Sequence, residues 1–308
     1  MTPSLAVYRK SRLVLFVHLA RDIKLIHSVF ALPFALLATF MAAASTGELP
    51  KAAALGLIVL CMVLARTVAM TANRWIDRSI DAANPRTAGR AIPAGRLSAR
   101  FVLGGAIVCA GGFVLATTGF WILFSNPWPA LLSPFVLSWL VFYSFTKRLT
   151  WLCHLFLGSA LAISPLAATV AIEPAFLHAP DAWLLAVMVM CWVAGFDVIY
   201  ALADVKVDRQ GGLFSMPAKL GEDPALWISR VLHLAALAAL VYLVWVSKPL
   251  HVGFSFGVAA AAALLLLEHL LVWGSKTHRI PVAFLTVNGI ISLVLGALGI
   301  MDILCSYT

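Results

Sequence analysis

Five of the 13 acidic residues in this 308-residue chain fall in two short stretches. The first reads Asn73-Arg-Trp-Ile-Asp77-Arg-Ser-Ile-Asp81, and the second Asp197-Val-Ile-Tyr200-Ala-Leu-Ala-Asp204-Val-Lys-Val-Asp208. On a helix turning about 100° per residue, Asn73, Asp77 and Asp81 fall within about 80° of one another, and Asp197, Asp204 and Asp208 within about 40°. Each stretch therefore presents a stripe of oxygen donors. Mutually repelling carboxylates near a membrane face are costly unless a cation sits among them. Their hard oxygens suit Mg²⁺, which readily shares its shell with water and phosphate oxygens, so a metal-bound diphosphate fits both stripes. The competing reading is a pair of solvated helix ends in which acids and bases alternate, which accounts for one such stripe more easily than for two.

Cations follow the acids closely. Arg86 and Arg90 come after the first stripe, and Lys147 and Arg148 stand together between the two. A departing diphosphate needs such donors as its charge develops, and these four are the candidates for contacting it. Their alternative role is to set membrane topology. Arg66 precedes Asn73 by seven residues and so shares its helical face; an arginine inside a span needs a partner, either the carboxylate of an acceptor or an acidic side chain. Tyr143 and Tyr200 are candidates for shaping a cation pocket or touching substrate, against the plainer role of interfacial anchors. Asp197, deeper than Asp204, is a candidate for orienting an acceptor or taking a proton. No HxxxH or His/carboxylate pair accompanies His27 or His154, so interhelical hydrogen bonding is the expectation for both.

The elements that must position these residues are membrane helices. The chain is 62% hydrophobic and 11% charged, with a mean hydropathy of +0.98, too apolar for a soluble domain. Runs long enough to cross a bilayer predict helices at 24–45, 51–73, 101–121, 127–146, 150–172, 181–203, 226–247, 250–272 and 281–303. They leave room for a single membrane domain over 1–308. The first helix is expected to be retained, because no signal-peptide pattern precedes it. Gly-Glu-Leu-Pro at 47–50, Ser-Asn-Pro-Trp-Pro at 125–129 and Lys-Pro at 248–249 predict tight antiparallel connections.

Basic residues decide the orientation. Arg9, Lys10, Arg12, Arg21 and Lys24 lead in, and Arg74, Arg78, Arg86, Arg90, Arg96, Arg100, Lys147, Arg148, Lys206, Arg209, Lys219, Arg230, Lys276 and Arg279 fall on the same side, against Lys51 and Lys248 on the other. The N-terminus and both acidic stretches are thus expected to face the cytoplasm. The net charge of +9 sits in short connections between apolar runs, which argues against a nucleic-acid partner and for a lipid bilayer and an anionic substrate. Cys61, Cys109, Cys153, Cys191 and Cys305 are scattered singly, so neither a disulfide framework nor a zinc site is indicated.

The stretch from Arg66 through Asn73, Asp77, Asp81, Arg86 and Arg90 to Gly95 resembles the first signature of the UbiA superfamily of membrane prenyltransferases. Asp197 to Pro217, ending Gly-Gly-Leu-Phe-Ser-Met-Pro, resembles its second, and Tyr143-Ser-Phe-Thr-Lys147-Arg148 is similar to the basic segment between its fourth and fifth helices. The family's first signature usually reads Asn-Asp-x-x-Asp-x-x-x-Asp; here Arg74 occupies the place of the first aspartate. The resemblance covers essentially the whole chain and implies an all-α polytopic membrane fold, with nine transmembrane helices around a central cavity opening to the cytoplasmic side of a bacterial inner membrane. It also implies that Asn73, Asp77 and Asp81 hold one Mg²⁺ and that Asp204 and Asp208 hold another, together clamping a polyprenyl diphosphate.

Within the family the likeness is greatest to 4-hydroxybenzoate polyprenyltransferases of ubiquinone synthesis and to the similar enzymes of the futalosine route to menaquinone. The implied reaction is ionisation of an allylic diphosphate and attack on the resulting cation by an aromatic acceptor. A secondary transporter is the alternative from another class; it would carry its charges near the bilayer midplane rather than at one face.

Overall fold

The computed structural model describes Leu19, Asp22, residues 30–272 and residues 283–307. Among these residues the chain is entirely helical. Its α-helices are α1 (Leu32–Ala44), α2 (Ala52–Ile76), α3 (Arg78–Ala83), α4 (Ala99–Phe124), α5 (Trp128–Thr146), α6 (Cys153–Ile172), α7 (Pro180–Ala201), α8 (Val205–Gln210), α9 (Met216–Leu220), α10 (Glu222–Val246), α11 (Val252–Leu271) and α12 (Asn288–Cys305). Eight helices among the described residues are long and apolar enough to cross a membrane. Of the expected 24–45 helix, the described part is α1, which is shorter. The start of that helix, the start of the 281–303 helix, His27, Arg9, Lys10, Arg12, Arg21, Lys24, Lys276 and Arg279 lie outside the described residues.

In lipid a helix satisfies its backbone polar groups within its own segment, which long apolar runs of this kind require. The same constraint explains why Pro134 and Pro165 sit inside α5 and α6 without ending them. Connections at Ser45–Lys51, Ser125–Pro127 and Ser247–His251 are short, as their turn residues predict. Asn126 closes one end of the bundle by donating from Nδ2 to the carbonyls of Val170 and Ala171 at 2.7 and 3.2 Å. Asp302 of α12 does similar work for α11, accepting from the backbone N–H groups of His251, Gly253 and Phe254.

The most buried of the spanning helices is α7, which packs against α6 on one side and α10 on the other. Association of helices in lipid depends on close packing, and small residues permit it. A Cβ on Gly158 of α6 would lie 2.3 Å from the Met190 carbonyl of α7. Gly195 of α7 lies equally tight against the His233 ring of α10. Phe34 and Phe196 pack edge-on to Trp192 at centroid separations of 5.5 and 5.1 Å. Polar bonds add specificity: Trp192 Nε1 donates to Asn288 Oδ1 at 2.6 Å and Asn288 Nδ2 to Glu268 Oε1 at 2.7 Å, tying α7, α12 and α11.

Neither acidic stretch is one regular helix. The first runs past its expected end at 73 and breaks at Asp77, whose backbone (φ −88°, ψ 5°) separates α2 from α3. The second leaves α7 at Ala201, passes through one 3₁₀ turn at Leu202–Asp204 and resumes as α8.

Candidate active site

The acidic stretches face each other at one end of the bundle, joined by cations from the connections. Arg86 meets Asp204 with two bonds, Nε to Oδ1 at 2.9 Å and Nη2 to Oδ2 at 2.5 Å. Its Nη1 donates to the Tyr200 hydroxyl at 2.7 Å. Arg90 Nη1 lies 2.6 Å from Asp81 Oδ1. Arg148 Nη2 lies 2.7 Å from Asp77 Oδ1, and its neighbour Lys147 places Nζ 2.7 Å from Asp208 Oδ1. Adjacent residues on one connection thus hold one carboxylate from each stretch, which fixes the stretches face to face.

Electrostatics follow from this pairing. Burial pushes the Asp77 carboxyl above its ordinary range, and Arg148 pulls against that shift without cancelling it. Burial disfavours the charge on Arg86, but Asp204 and Tyr200 outweigh it and hold the guanidinium's pKa above its usual value. Lys147 is likewise buried, yet Asp208 raises its pKa. Both cations stay charged at neutral pH.

Asn73 joins the group through Nδ2, which donates to Asp77 Oδ2 at 2.8 Å. Its Oδ1 accepts from Arg74 Nη1 at 2.9 Å. Arg74 is buried, its Nε 3.4 Å from Asp22 Oδ2. The arginine that replaces the family's usual aspartate therefore brings its own counter-ion, and Asp22 also accepts from the Ala91 N–H at 2.8 Å.

The carboxylates fit Mg²⁺ in kind, as hard oxygen donors in a partly desolvated setting. Asp81 Oδ2 is buried with no hydrogen-bond partner, a free acceptor for a cation. The other carboxylate oxygens already accept from protein donors, from the four cations and also from Asn73, Asn84 and Ser215.

The bundle also holds a cavity of about 420 Å³, walled by apolar side chains of α2, α4, α5 and α6, including Ile58, Met62, Phe113, Phe120, Val136, Leu140 and Leu161. Leu132, Phe135 and Trp183 line it and are also exposed on the outer surface, so it reaches the lipid-facing side of the bundle. Arg66 and Tyr143 bring polar groups into its wall. An acidic side chain was one expectation for Arg66; among the described residues none pairs with it, and its buried Nε has no hydrogen-bond partner. A buried guanidinium donor left without a partner is costly.

His154 makes the interhelical hydrogen bond expected of it, and the partner is a carboxylate: its Nδ1 lies 2.6 Å from Asp197 Oδ2. The partner stands on another helix, where local spacing cannot reveal it. Asn84, Ser144 and Ser215 were not singled out by the sequence reading. Asn84 Nδ2 donates to Asp204 Oδ1 at 3.0 Å, Asn73 Nδ2 reaches Ser144 Oγ at 3.4 Å, and Ser215 Oγ donates to Asp208 Oδ2 at 2.9 Å. Ser215 before Met-Pro was legible as an N-cap, which it is for α9. Nothing local marks Asn84 or Ser144.

Residues 31–294 match the UbiA prenyltransferase family. The chain belongs to that family. Among curated relatives, 4-hydroxybenzoate octaprenyltransferase of Yersinia pseudotuberculosis serotype IB is 30% identical over 265 residues, 84% of this chain and 85% of that protein. The protein of the same name from Alcanivorax borkumensis is 32% identical over 209 residues, 66% of this chain and 67% of that one. A UbiA homologue from Aeropyrum pernix K1, in its apo form, has a TM-score of 0.80 at 28% identity, covering 92% of this chain and 99% of that one. A UbiA homologue from Archaeoglobus fulgidus bound to DMAPP and Mg²⁺ shares the fold, with a TM-score of 0.68 at 18% identity over 94% of this chain and 98% of that one. The chain is therefore a UbiA-family prenyltransferase and an integral membrane protein.

Proposed function

We propose that this prenyltransferase moves a polyprenyl group from a polyprenyl diphosphate to an aromatic acceptor carrying a carboxylate, 4-hydroxybenzoate in ubiquinone synthesis, in a Mg²⁺-dependent reaction that releases diphosphate. The observation that carries this reading is the set of carboxylate–cation pairs, Asp77–Arg148, Asp81–Arg90, Asp204–Arg86 and Asp208–Lys147, in a bundle that also holds an apolar cavity walled in part by Arg66 and Tyr143. A lone anion would strand the carboxylates and a lone metal would strand the cations. A metal-bound diphosphate supplies both kinds of partner together.

In this account Asn73, Asp77, Asp81, Asp204 and Asp208 hold Mg²⁺, which when bound neutralises the charge on the departing diphosphate. Arg86, Arg90, Lys147 and Arg148 donate to the diphosphate oxygens, in place before the charge develops. The apolar cavity takes the prenyl tail, and its wall excludes water from the allylic cation. Arg66 holds the acceptor's carboxylate, which turns the phenol end toward the diphosphate, and Tyr143 and Tyr200 flank the cation with π faces. Bond formation then occurs at the ring carbon ortho to the hydroxyl, the most electron-rich position open to attack.

The names of the curated relatives support the acceptor, and the ligands of the Archaeoglobus homologue support the donor and the metal. The excess of Lys and Arg at the acidic end supports a cytoplasmic active site in a bacterial inner membrane. The test is product formation by purified protein given geranyl diphosphate, Mg²⁺ and either 4-hydroxybenzoate or a futalosine-type acceptor. Prenylation of 4-hydroxybenzoate supports the reading. Prenylation of only the futalosine-type acceptor reassigns the pathway, and no product with either refutes it.

A further inference from the structure

Asp197 lies in α7, seven residues before Asp204, with the 3₁₀ turn Leu202–Asp204 between the end of that helix and α8. Arg86 bonds to Tyr200 and Asp204 of the same stretch. Gly195, Phe196, Val198 and Ile199 around Asp197 are buried, yet the Asp197 side chain keeps 22% of its surface open.

The His154 ring holds this carboxylate from one side. Nδ1 lies 2.6 Å from Asp197 Oδ2, and on the other edge Nε2 lies 3.2 Å from the backbone nitrogen of Met216. An amide N–H only donates, so Nε2 is the nitrogen without a proton, and Nδ1–H donates to Asp197. The pair is a neutral imidazole and a carboxylate whose Oδ1 takes no protein donor among the described residues.

Met216 is itself held. Ser215, next to it, donates to Asp208 Oδ2 at 2.9 Å. The Phe214 N–H donates to the Lys147 carbonyl at 2.8 Å, and the Cys153 thiol donates to the Phe214 carbonyl at 3.3 Å. An unbroken set of contacts runs from Asp208 through Ser215, Met216 and His154 to Asp197.

We propose that His154 is a positioning residue for prenyl transfer. It holds Asp197 in the orientation that accepts a hydrogen bond from the acceptor's hydroxyl, and it takes its own orientation from the segment anchored on Asp208. This rests on the function proposed above. A phenol bonded to a carboxylate carries more electron density on the ortho carbon. The allylic C–O bond breaks with its electron pair leaving on the diphosphate, a ring π pair forms the new C–C bond, and the ring C–H proton passes to the diphosphate while its electron pair restores the aromatic ring.

The test compares wild-type protein with His154→Leu, His154→Gln and Asp197→Asn, varying 4-hydroxybenzoate and geranyl diphosphate in turn. Glutamine keeps one N–H donor and one carbonyl acceptor but cannot titrate. His154→Leu is expected to lower kcat/KM for 4-hydroxybenzoate by about 10²-fold, as loss of an outer-shell partner does, with the KM for geranyl diphosphate little changed. His154→Gln is expected to recover most of that loss, and combining His154→Leu with Asp197→Asn to cost little more than either alone. Wild-type acceptor kinetics in His154→Leu would overturn the proposal, as would equal losses toward both substrates in the Leu and Gln variants alike. A wild-type protein that forms no prenylated aromatic product would instead refute the function on which the proposal rests.

Discussion

Arg86 and Asp204 stand 118 residues apart in the chain and close on each other with two parallel N–H···O bonds. The planar guanidinium matches the carboxylate edge, and the third contact to Tyr200 fixes its direction. This pair ties the connection after the first acidic stretch to the heart of the second.

Arg86→Gln is expected to lower kcat by about 10²-fold, the usual cost of losing one preorganised donor at a developing charge. Arg86→Lys should recover little, because an ammonium cannot make the parallel bonds or reach Tyr200 at the same time. Steady-state turnover of geranyl diphosphate with saturating acceptor checks both.

Arg66→Met is expected to raise the KM for 4-hydroxybenzoate by about 10- to 100-fold, matching the roughly 1.5–3 kcal/mol of a hydrogen bond to a charged group. A phenol without a carboxylate should be unaffected. An unchanged acceptor profile, measured across phenols with and without the carboxylate, would make Arg66 a structural residue.

Gly158→Ala places a methyl group 2.3 Å from the Met190 carbonyl, on the same α6–α7 interface that brings His154 to Asp197. Overpacking of this kind costs about 1–3 kcal/mol. The thermal unfolding midpoint in detergent is expected to fall, and the KM for the acceptor to rise as the two helices part.

Asp302→Ala removes the acceptor for three backbone N–H groups at the start of α11. Loss of such a cap costs about 1–2 kcal/mol. Because the contact lies at the end of the bundle away from the carboxylates, stability should fall while KM for both substrates stays unchanged. Thermal unfolding and steady-state kinetics on one preparation separate the two effects.

The acidic stripes were legible because acidic residues are scarce in so apolar a chain, and position in the loops nearby marked Arg86, Arg90, Lys147 and Arg148 as candidates for contacting a diphosphate rather than as ion-pair partners of the acids. Which cation meets which acid was not legible, since Lys147 and Arg148, adjacent in sequence, serve different stretches. Hydropathy placed the membrane helices but not the breaks at Asp77 and at Leu202–Asp204, which carry no glycine or proline and arise from tertiary pairing. The partners of His154 and Arg74 were hidden for a related reason: Asp197 and Asp22 lie on other segments, beyond any local periodicity.

The most direct measurement is Mg²⁺-dependent release of diphosphate from geranyl diphosphate, in the presence of 4-hydroxybenzoate, by wild-type protein and by Asp204→Asn at matched folding. The account predicts activity in the wild type that disappears with a chelator and returns with Mg²⁺, and none in the variant at any Mg²⁺ concentration. Chelator-resistant turnover, or a fully active Asp204→Asn protein, would contradict it.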